Sequence, residues 1–124
     1  MKEAHTLLRL GLSDGAYYLA GYAVECALKA CIAKTTQRHE FPDKKRVDAS
    51  HTHDLGVLVQ LTPLRTSWLE RLDADEAFRR NWELIARWSE RSRYNTYQRK
   101  DARALVAAVG DRYDGIIPWI MRHW

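Results

Sequence analysis

The segment from Asp14 to Lys34 reads DGAYYLAGYAVECALKACIAK, and it decides the fold. It reads as a single helix that is apolar on almost every side and rich in small residues. Only Glu25 and Lys29 interrupt its middle. A helix without a polar face has to be surrounded by other helices. The sequence therefore predicts an all-α domain built around this central helix.

The length and composition are those of one helical domain. The chain has 124 residues, of which 46% are hydrophobic, so it can bury a core and is not a disordered chain. We predict one domain over residues 1–124, an up-and-down bundle of four to five helices. The longest apolar run, Ala16–Val24, is too short to span a bilayer, and the first ten residues lack a signal-peptide core. We expect a cytoplasmic protein without a membrane segment.

Apolar spacing and capping residues predict the boundaries of the other helices in the first half. A short first helix covers residues 2–10, and Thr52 or Asp54 caps a third helix that stops or kinks at Pro63. Residues 35–51 are polar and lack a usable period, so we predict one long loop there.

The second half of the sequence predicts two further helices. Asp73 and Glu76 have the spacing of a capping box for the first of them, whose pattern breaks at residues 89–98. The last helix begins near Lys100, with a kink or restart near Ile117. Its apolar side is expected to consist of Ala104, Leu105, Ala108 and Val109.

The two cysteines lie on the central helix. Cys26 and Cys31 are five residues apart and point about 140° away from each other, so they cannot form a disulfide with each other. We expect two reduced, buried, small hydrophobic side chains. There is no CxxC motif, and the sequence implies no metal and no cofactor.

The positive charge is concentrated in one segment. The net charge is +4, but residues 79–103 hold eight bases and three acids, which is +5, and the rest sums to −1. Such a basic block suits a partner that carries phosphate. The alternative is an arginine-rich, solvated helix face.

Three stretches together resemble the HEPN domain family. They are AYYLAGYAVECALKACIAK, then HTHDLGVL, then Arg93-Tyr94 after a Trp-containing helix, and the resemblance covers residues 4–122. It implies a helical bundle that forms a homodimer and occurs in toxin–antitoxin modules or beside a nucleotidyltransferase. Such a partner protein, and a nucleotide or RNA ligand, are therefore expectations that the resemblance carries.

The nuclease motif of that family is missing at its usual position. Members that cleave RNA without a metal carry an Arg followed after four to six residues by a His. Here Arg93 is followed by no such His, and Arg91 reaches only Tyr97 and Gln98, a tyrosine being a poor base at neutral pH. A formal match, Arg46 to His51, falls in the predicted long loop. The missing histidine favours a branch of the family that binds nucleotide or RNA without cleaving it.

The motif His53-Asp54-Leu55 is the best local candidate for a site. The functional interpretation places His53 beside a ligand cleft as a switchable donor. The alternative has Asp54 capping the helix and His53 packing locally. With His51, the histidines could ligate a metal, but no third and fourth ligand is apparent.

Two other residue pairs each allow a functional and a purely structural interpretation. Arg93 offers a bidentate fork for phosphate and Tyr94 can stack on a base, or else Arg93 pairs with Glu25 while Tyr94 packs beside it. Glu25 and Lys29 form either an ion pair on an exposed stripe or the floor of a cleft that faces Arg93 and His53.

The leading hypothesis is a HEPN-like module that binds nucleotide or RNA, with His53 and Arg93 as tentative catalytic groups. The candidate binding residues are Glu25, Lys29, His51, Asp54, Arg91, Tyr94 and Tyr97. The alternative is a metal-independent ribonuclease toxin that uses His53 or His51 with Arg93 or Arg46. A third possibility is a structural dimer subunit.

Overall fold

Helices account for the regular structure of the described residues, 1–36 and 43–123, in the computed structural model. They are α1 (Lys2–Arg9), α2 (Ser13–Lys34), α3 (Lys44–Ser50), α4 (Leu55–Leu61), α5 (Arg65–Ala74), α6 (Glu76–Ile85), a 3-10 helix (Glu90–Tyr94), α7 (Arg99–Gly110) and α8 (Ile116–Arg122). The predicted all-α fold is confirmed, but the described residues form eight α-helices and one 3-10 helix rather than the four to five helices predicted. No helix within these ranges combines the length and apolar character needed to cross a bilayer.

The long helix α2 lies at the centre of the bundle, as the sequence predicted. It packs against α1, α4, α7, α8 and the 3-10 helix. Tyr22, Cys26 and Ala33 are exposed on one half of the helix circumference, so α2 is not covered on every side. The buried residues of α2, placed at about 100° per residue, all lie within the other half. They are Ala16, Tyr17, Ala20, Gly21, Val24, Glu25, Leu28, Cys31 and Ile32.

Small residues on α2 let a large side chain approach its backbone. Trp88 packs on Gly21 so closely that a Cβ added there would lie 2.3 Å from the Trp88 Cγ. The Trp88 indole Nε1 donates to the Tyr18 carbonyl oxygen at 3.1 Å. The segment that follows α6 is therefore fixed to the central helix by both packing and a hydrogen bond.

The short helix α8 is held by its apolar side chains. Seven residues are too few to form a stable helix alone, so α8 depends on tertiary packing. Trp119 is 1% exposed and its ring lies 5.2 Å from that of Phe78 on α6. Ile116 and Ile120 are fully buried beside it. The predicted restart near Ile117 is confirmed, because α7 ends at Gly110 and α8 begins at Ile116.

The prediction of one long loop over residues 35–51 is wrong, because α3 occupies Lys44–Ser50. Asp43 caps α3 by accepting from the Arg46 backbone N–H at 3.1 Å, and the Arg46 guanidinium donates to the Leu61 carbonyl at 2.7 Å. The helix buries no residue, so it leaves no apolar period in the sequence. The part of the predicted loop at 37–42 lies outside the described residues.

Three smaller predictions are also corrected. The N-cap of α6 is Asp75 rather than Asp73, because α5 continues through Asp73 to Ala74. Ala104 is exposed, while the neighbouring Ala102 and Val106 are buried. Cys26 is exposed and only Cys31 is buried, since the two point to different sides of α2.

Two carboxylates that hold helix ends or turns are expected to make the fold sensitive to acid. The Phe78 backbone N–H donates to Asp75 at 3.0 Å and lowers the pKa of that carboxyl. The N–H groups of Asp114 and Tyr113 lower the pKa of Asp111 in the same way. A lowered folded-state pKa stabilises the fold above the ordinary value of 3.8, and this contribution is lost as pH falls through the folded-state pKa.

We therefore expect the free energy of unfolding to fall as the pH drops below about 4. Asp75→Asn keeps an acceptor for the cap but cannot titrate, so its urea midpoint should depend less on pH between 4 and 2. Asp73→Asn is the control, because the Asp73 side chain is exposed and makes no hydrogen bond or ion pair within the described residues. Parallel acid profiles for wild type and Asp75→Asn would contradict the prediction.

Candidate functional site

A polar cleft of about 510 Å³ opens between the start of α4 and the segment that follows α6. One wall is formed by residues 51–55 and the other by residues 86–90. Leu55 is the only one of these lining residues that lies in an α-helix, so the cleft is built mostly from connecting segments. Its titratable or charged lining residues are His51, His53, Asp54, Arg87 and Glu90.

Beneath one wall of the cleft lies the carboxylate of Glu25. The side chain of Glu25 is only 3% exposed, and Lys29 Nζ donates to its Oε1 at 2.9 Å. The Nδ1 of His53 lies 2.9 Å from Oε1 and 3.0 Å from Oε2 of the same carboxylate. The interpretation of Glu25 and Lys29 as a pair on an exposed stripe is therefore wrong for Glu25. Partnering by two donors explains how the carboxylate tolerates burial.

His53 has one fixed and one open ring nitrogen. Its side chain is 49% exposed and lines the cleft, although Nδ1 is fixed on the buried Glu25. Nε2 lies on the other side of the ring and has no hydrogen-bond partner within the described residues. The histidine is thus held in one orientation while half of its ring stays accessible.

The structure confirms the expected cap of α4 by Asp54 and places His53 in the lining of the cleft. Asp54 caps α4 by accepting from the Val57 backbone N–H at 3.0 Å. Thr52 Oγ1 accepts from the Asp54 backbone N–H at 3.1 Å, which fixes the approach to the helix. The cap sets the backbone direction that carries His53 toward Glu25, so the capping and the cleft position are linked.

Arg87 is the cleft residue that sequence reasoning missed. It is exposed on the wall opposite the histidines, directly before the buried Trp88. Its only signal in the sequence was membership of the basic segment 79–103, which does not distinguish it from seven other bases. Arg87 lines the same cleft as His51 and His53 because α6 ends at Ile85 and the chain turns there.

The structure does not bring Arg93 and Tyr94 into this cleft. Both are exposed on the 3-10 helix, and the Arg93 guanidinium lies 4.9 Å from the centre of the Tyr94 ring. The interpretation that pairs Arg93 with Glu25 is wrong, because Lys29 and His53 fill that role. Arg91 is also exposed on the 3-10 helix.

Tyr97 is a packing residue in this structure. Its ring stacks on that of Tyr17 with centres 3.6 Å apart, and its backbone N–H donates to Asp14 at 2.6 Å. Burial, followed by the neighbouring Tyr97, raises the pKa of Tyr17, while Arg87 acts in the opposite direction. Arg87 therefore lies within electrostatic range of this tyrosine pair as well as in the cleft.

Arg46 and His51, which match the spacing of the nuclease motif, make different contacts in the structure. The Arg46 guanidinium donates to the last carbonyl of α4, at Leu61, whereas His51 lines the cleft. Within residues 1–36 and 43–123, no three His, Cys, Asp or Glu side chains are grouped so that they could hold a metal ion.

Comparisons of the chain with models of known protein families, with curated proteins and with solved structures find no match. The class that the described residues define is an all-α domain with a polar cleft fixed to its central helix.

Proposed function

We propose that this chain is a HEPN-like module that binds the phosphate of a nucleotide or RNA in the polar cleft. In this proposal it works as a homodimer, beside a nucleotidyltransferase-type partner or in a toxin–antitoxin module. The observation that carries it is the position of Arg87, exposed across the cleft from His51 and His53. A guanidinium fork and imidazole rings are suited to phosphate and sugar groups.

Positive charge in the segment next to the cleft supports an anionic ligand, against a lining that holds one arginine, Arg87, and two carboxylates, Asp54 and Glu90. One of the lining carboxylates, Asp54, is engaged by the Val57 N–H, and Glu25 below is paired with Lys29. Arg91 and Arg93 follow Glu90 directly and are exposed. The +5 charge of residues 79–103 would raise the local concentration of a phosphate-bearing ligand.

Replacing Arg87 with alanine is expected to weaken binding by about tenfold to a hundredfold, because hydrogen bonds to charged groups contribute about 1.5–3 kcal/mol. Titrations of a labelled RNA and of mononucleotides at two salt concentrations measure this. For RNA, the slope of log affinity against log salt concentration should also become shallower by roughly the amount that one phosphate contact contributes.

Arg112→Ala is the matched control for that experiment. Arg112 is exposed, lies over the Tyr113 ring and is not among the residues that line the cleft. Its removal takes away the same charge and should leave affinity within about twofold once salt screening is present. Equal losses in both variants, or no binding by wild type with or without a partner protein, would remove support for the cleft.

A second candidate function is metal-independent RNA cleavage, and the Glu25–His53 contact favours it. A histidine oriented by a buried carboxylate is a common arrangement for proton transfer. Growth arrest and RNA cleavage by wild type, with His53→Ala, His51→Ala and Arg93→Ala for comparison, test this function. A wild type that is harmless and cleaves nothing rules it out.

A further inference from the structure

Ser67 and His123 form a hydrogen-bonded pair outside the polar cleft. Ser67 lies in the first turn of α5, and His123 directly follows α8. The Ser67 Oγ lies 3.1 Å from the His123 Nε2, which is the separation of a serine nucleophile from its general base. Ser67 is half-buried and His123 is exposed, so a substrate can reach both. Neither residue lines the cleft that holds Arg87, and the pair is therefore not part of the site described above.

The imidazole of His123 is oriented so that it can take a proton from that hydroxyl. Its Nδ1 lies 2.9 Å from the Trp119 carbonyl oxygen, which can only accept a hydrogen bond. Nδ1 therefore carries the hydrogen, and in a neutral ring Nε2 is left as an acceptor for the Ser67 hydroxyl. The centre of the His123 ring also lies 5.3 Å from that of the buried Trp119 ring. A backbone carbonyl and an anchored tryptophan thus take the orienting role that a carboxylate has in a catalytic triad.

Backbone donors lie next to the serine hydroxyl. Thr66 and Ser67 are in the first turn of α5, where amide groups have no partner inside the helix. Within the part of the chain that the structure describes, neither N–H has a backbone acceptor. Two such N–H groups beside a nucleophile are suited to stabilise the oxyanion that forms when a carbonyl carbon is attacked.

A cavity of about 200 Å³ adjoins the imidazole. Leu64 in its lining precedes Ser67 by three positions, so the cavity lies about one turn of α5 from the hydroxyl. Burial raises the pKa of the Cys31 thiol, which keeps that wall of the cavity uncharged. The cavity is therefore suited to a short apolar chain attached to the reacting carbonyl. Its lining residues are Cys31, Lys34, Thr35, Pro63, Leu64 and His123.

We propose that Ser67 and His123 form a second site, which hydrolyses small carboxylic esters whose apolar acyl group enters this cavity. Ser67 Oγ attacks the ester carbonyl carbon while His123 Nε2 takes the hydroxyl proton. The bond from that carbon to the alcohol oxygen then breaks, and His123 gives the proton to the leaving alcohol. Water attacks the acyl-serine with His123 again as base, which releases the carboxylic acid and restores Ser67. The ester and one water are converted to an acid and an alcohol, and no oxidant or reductant is consumed.

Covalent labelling of the intact chain tests the nucleophile. Phenylmethylsulfonyl fluoride at pH 8 should add one sulfonyl group to Ser67, because the hydroxyl oxygen displaces fluoride while His123 takes the proton. Peptide mapping by mass spectrometry locates the group. His123→Gln should slow the labelling about a hundredfold, the lower end of what a general base contributes.

Ser50 is the internal control for the labelling. Its hydroxyl donates to the Val47 carbonyl at 2.7 Å rather than to an imidazole, so it should stay unlabelled. A wild type that is not labelled at Ser67, or that is labelled equally at Ser50, overturns the proposal. This measurement on the wild type needs no substitution and does not depend on whether a variant folds.

Hydrolysis of p-nitrophenyl acetate, propionate and butyrate tests the reaction and the cavity. We expect an initial burst of nitrophenol that matches the amount of protein, because the acyl-serine accumulates. The value of kcat/KM should rise about fourfold with each added methylene, the effect of burying that group in the cavity. Ser67→Ala should remove the burst and lower kcat/KM about a hundredfold.

His5→Gln is the matched control for the hydrolysis. An exposed imidazole reacts slowly with such esters on its own, and His5 is exposed with no hydrogen bond to its ring within the described residues. Its removal should leave the burst and kcat/KM unchanged. Circular dichroism during heating checks that each variant is folded. A wild type that hydrolyses no faster than Ser67→Ala overturns the proposal, as does a rate that ignores acyl length, and both results leave the proposed phosphate binding unaffected.

Discussion

Replacing Gly21 with alanine is expected to lower the free energy of unfolding by about 2 kcal/mol. The added Cβ would lie 2.3 Å from Cγ of Trp88 and 2.4 Å from its Cδ1. The indole cannot move away freely, because it is 3% exposed and its Nε1 is bonded to the Tyr18 carbonyl. Alanine favours a helix over glycine by about 1 kcal/mol, which offsets only part of an overpacking cost of up to about 3 kcal/mol.

Urea unfolding followed by far-UV circular dichroism measures this effect. Gly110→Ala is the control, since a Cβ there meets only the terminal methyl of Met1 at 3.2 Å and the ring of His5 at 3.5 Å. In a Trp88→Leu background the cost of Gly21→Ala should shrink, because the ring that causes the clash is gone. Gly21→Ala with wild-type stability would show that the packing of Trp88 on α2 is wrong.

Replacing Trp119 with alanine is expected to cost about 4 kcal/mol and to detach α8. The side chain is among the largest that are fully buried, and its ring contacts Phe78. A typical domain has only about 5–15 kcal/mol of stability, so this loss is a large part of the total. Because α8 has seven residues, it depends on tertiary packing, and Trp119 is the largest of its three buried side chains.

Hydrogen exchange over residues 116–122 distinguishes detachment of α8 from a uniform loss of stability. The variant should lose protection there before it loses protection in α2. Met121→Ala removes an exposed side chain from the same helix, 68% exposed, and should change stability by about 0.5 kcal/mol or less. Equal protection of α8 in wild type and Trp119→Ala would contradict its role as the anchor.

The sequence predicted those parts of the fold in which burial leaves a pattern. Continuous apolarity identified α2 as the central helix, and Asp54 was correctly expected to be able to cap α4. Helix α3 was missed because nothing in it is buried, so its existence depends on the Asp43 cap and on Arg46. Elements held by polar contacts alone give no apolar period to find.

The candidate site could be predicted in part. The charges inside α2 indicated that Glu25 needs a partner, and the nearby histidine motif supplied one of them. Arg87 could not be singled out, because its place in the cleft depends on where α6 ends and on how Trp88 docks. Arg93 looked equally suitable in sequence, yet it lies on the exposed 3-10 helix.

Both walls of the cleft are fixed to the same helix, and this has a consequence for how the site can change. Glu25 of α2 holds the wall that carries His53, and Gly21 of α2 receives Trp88 from the other wall. The anchors lie four positions apart, about one turn of α2, while the lining residues project from connecting segments. The lining can therefore change at His51 or Arg87 without rebuilding the scaffold. In divergent copies of this domain, the two anchors should be retained after the lining has changed.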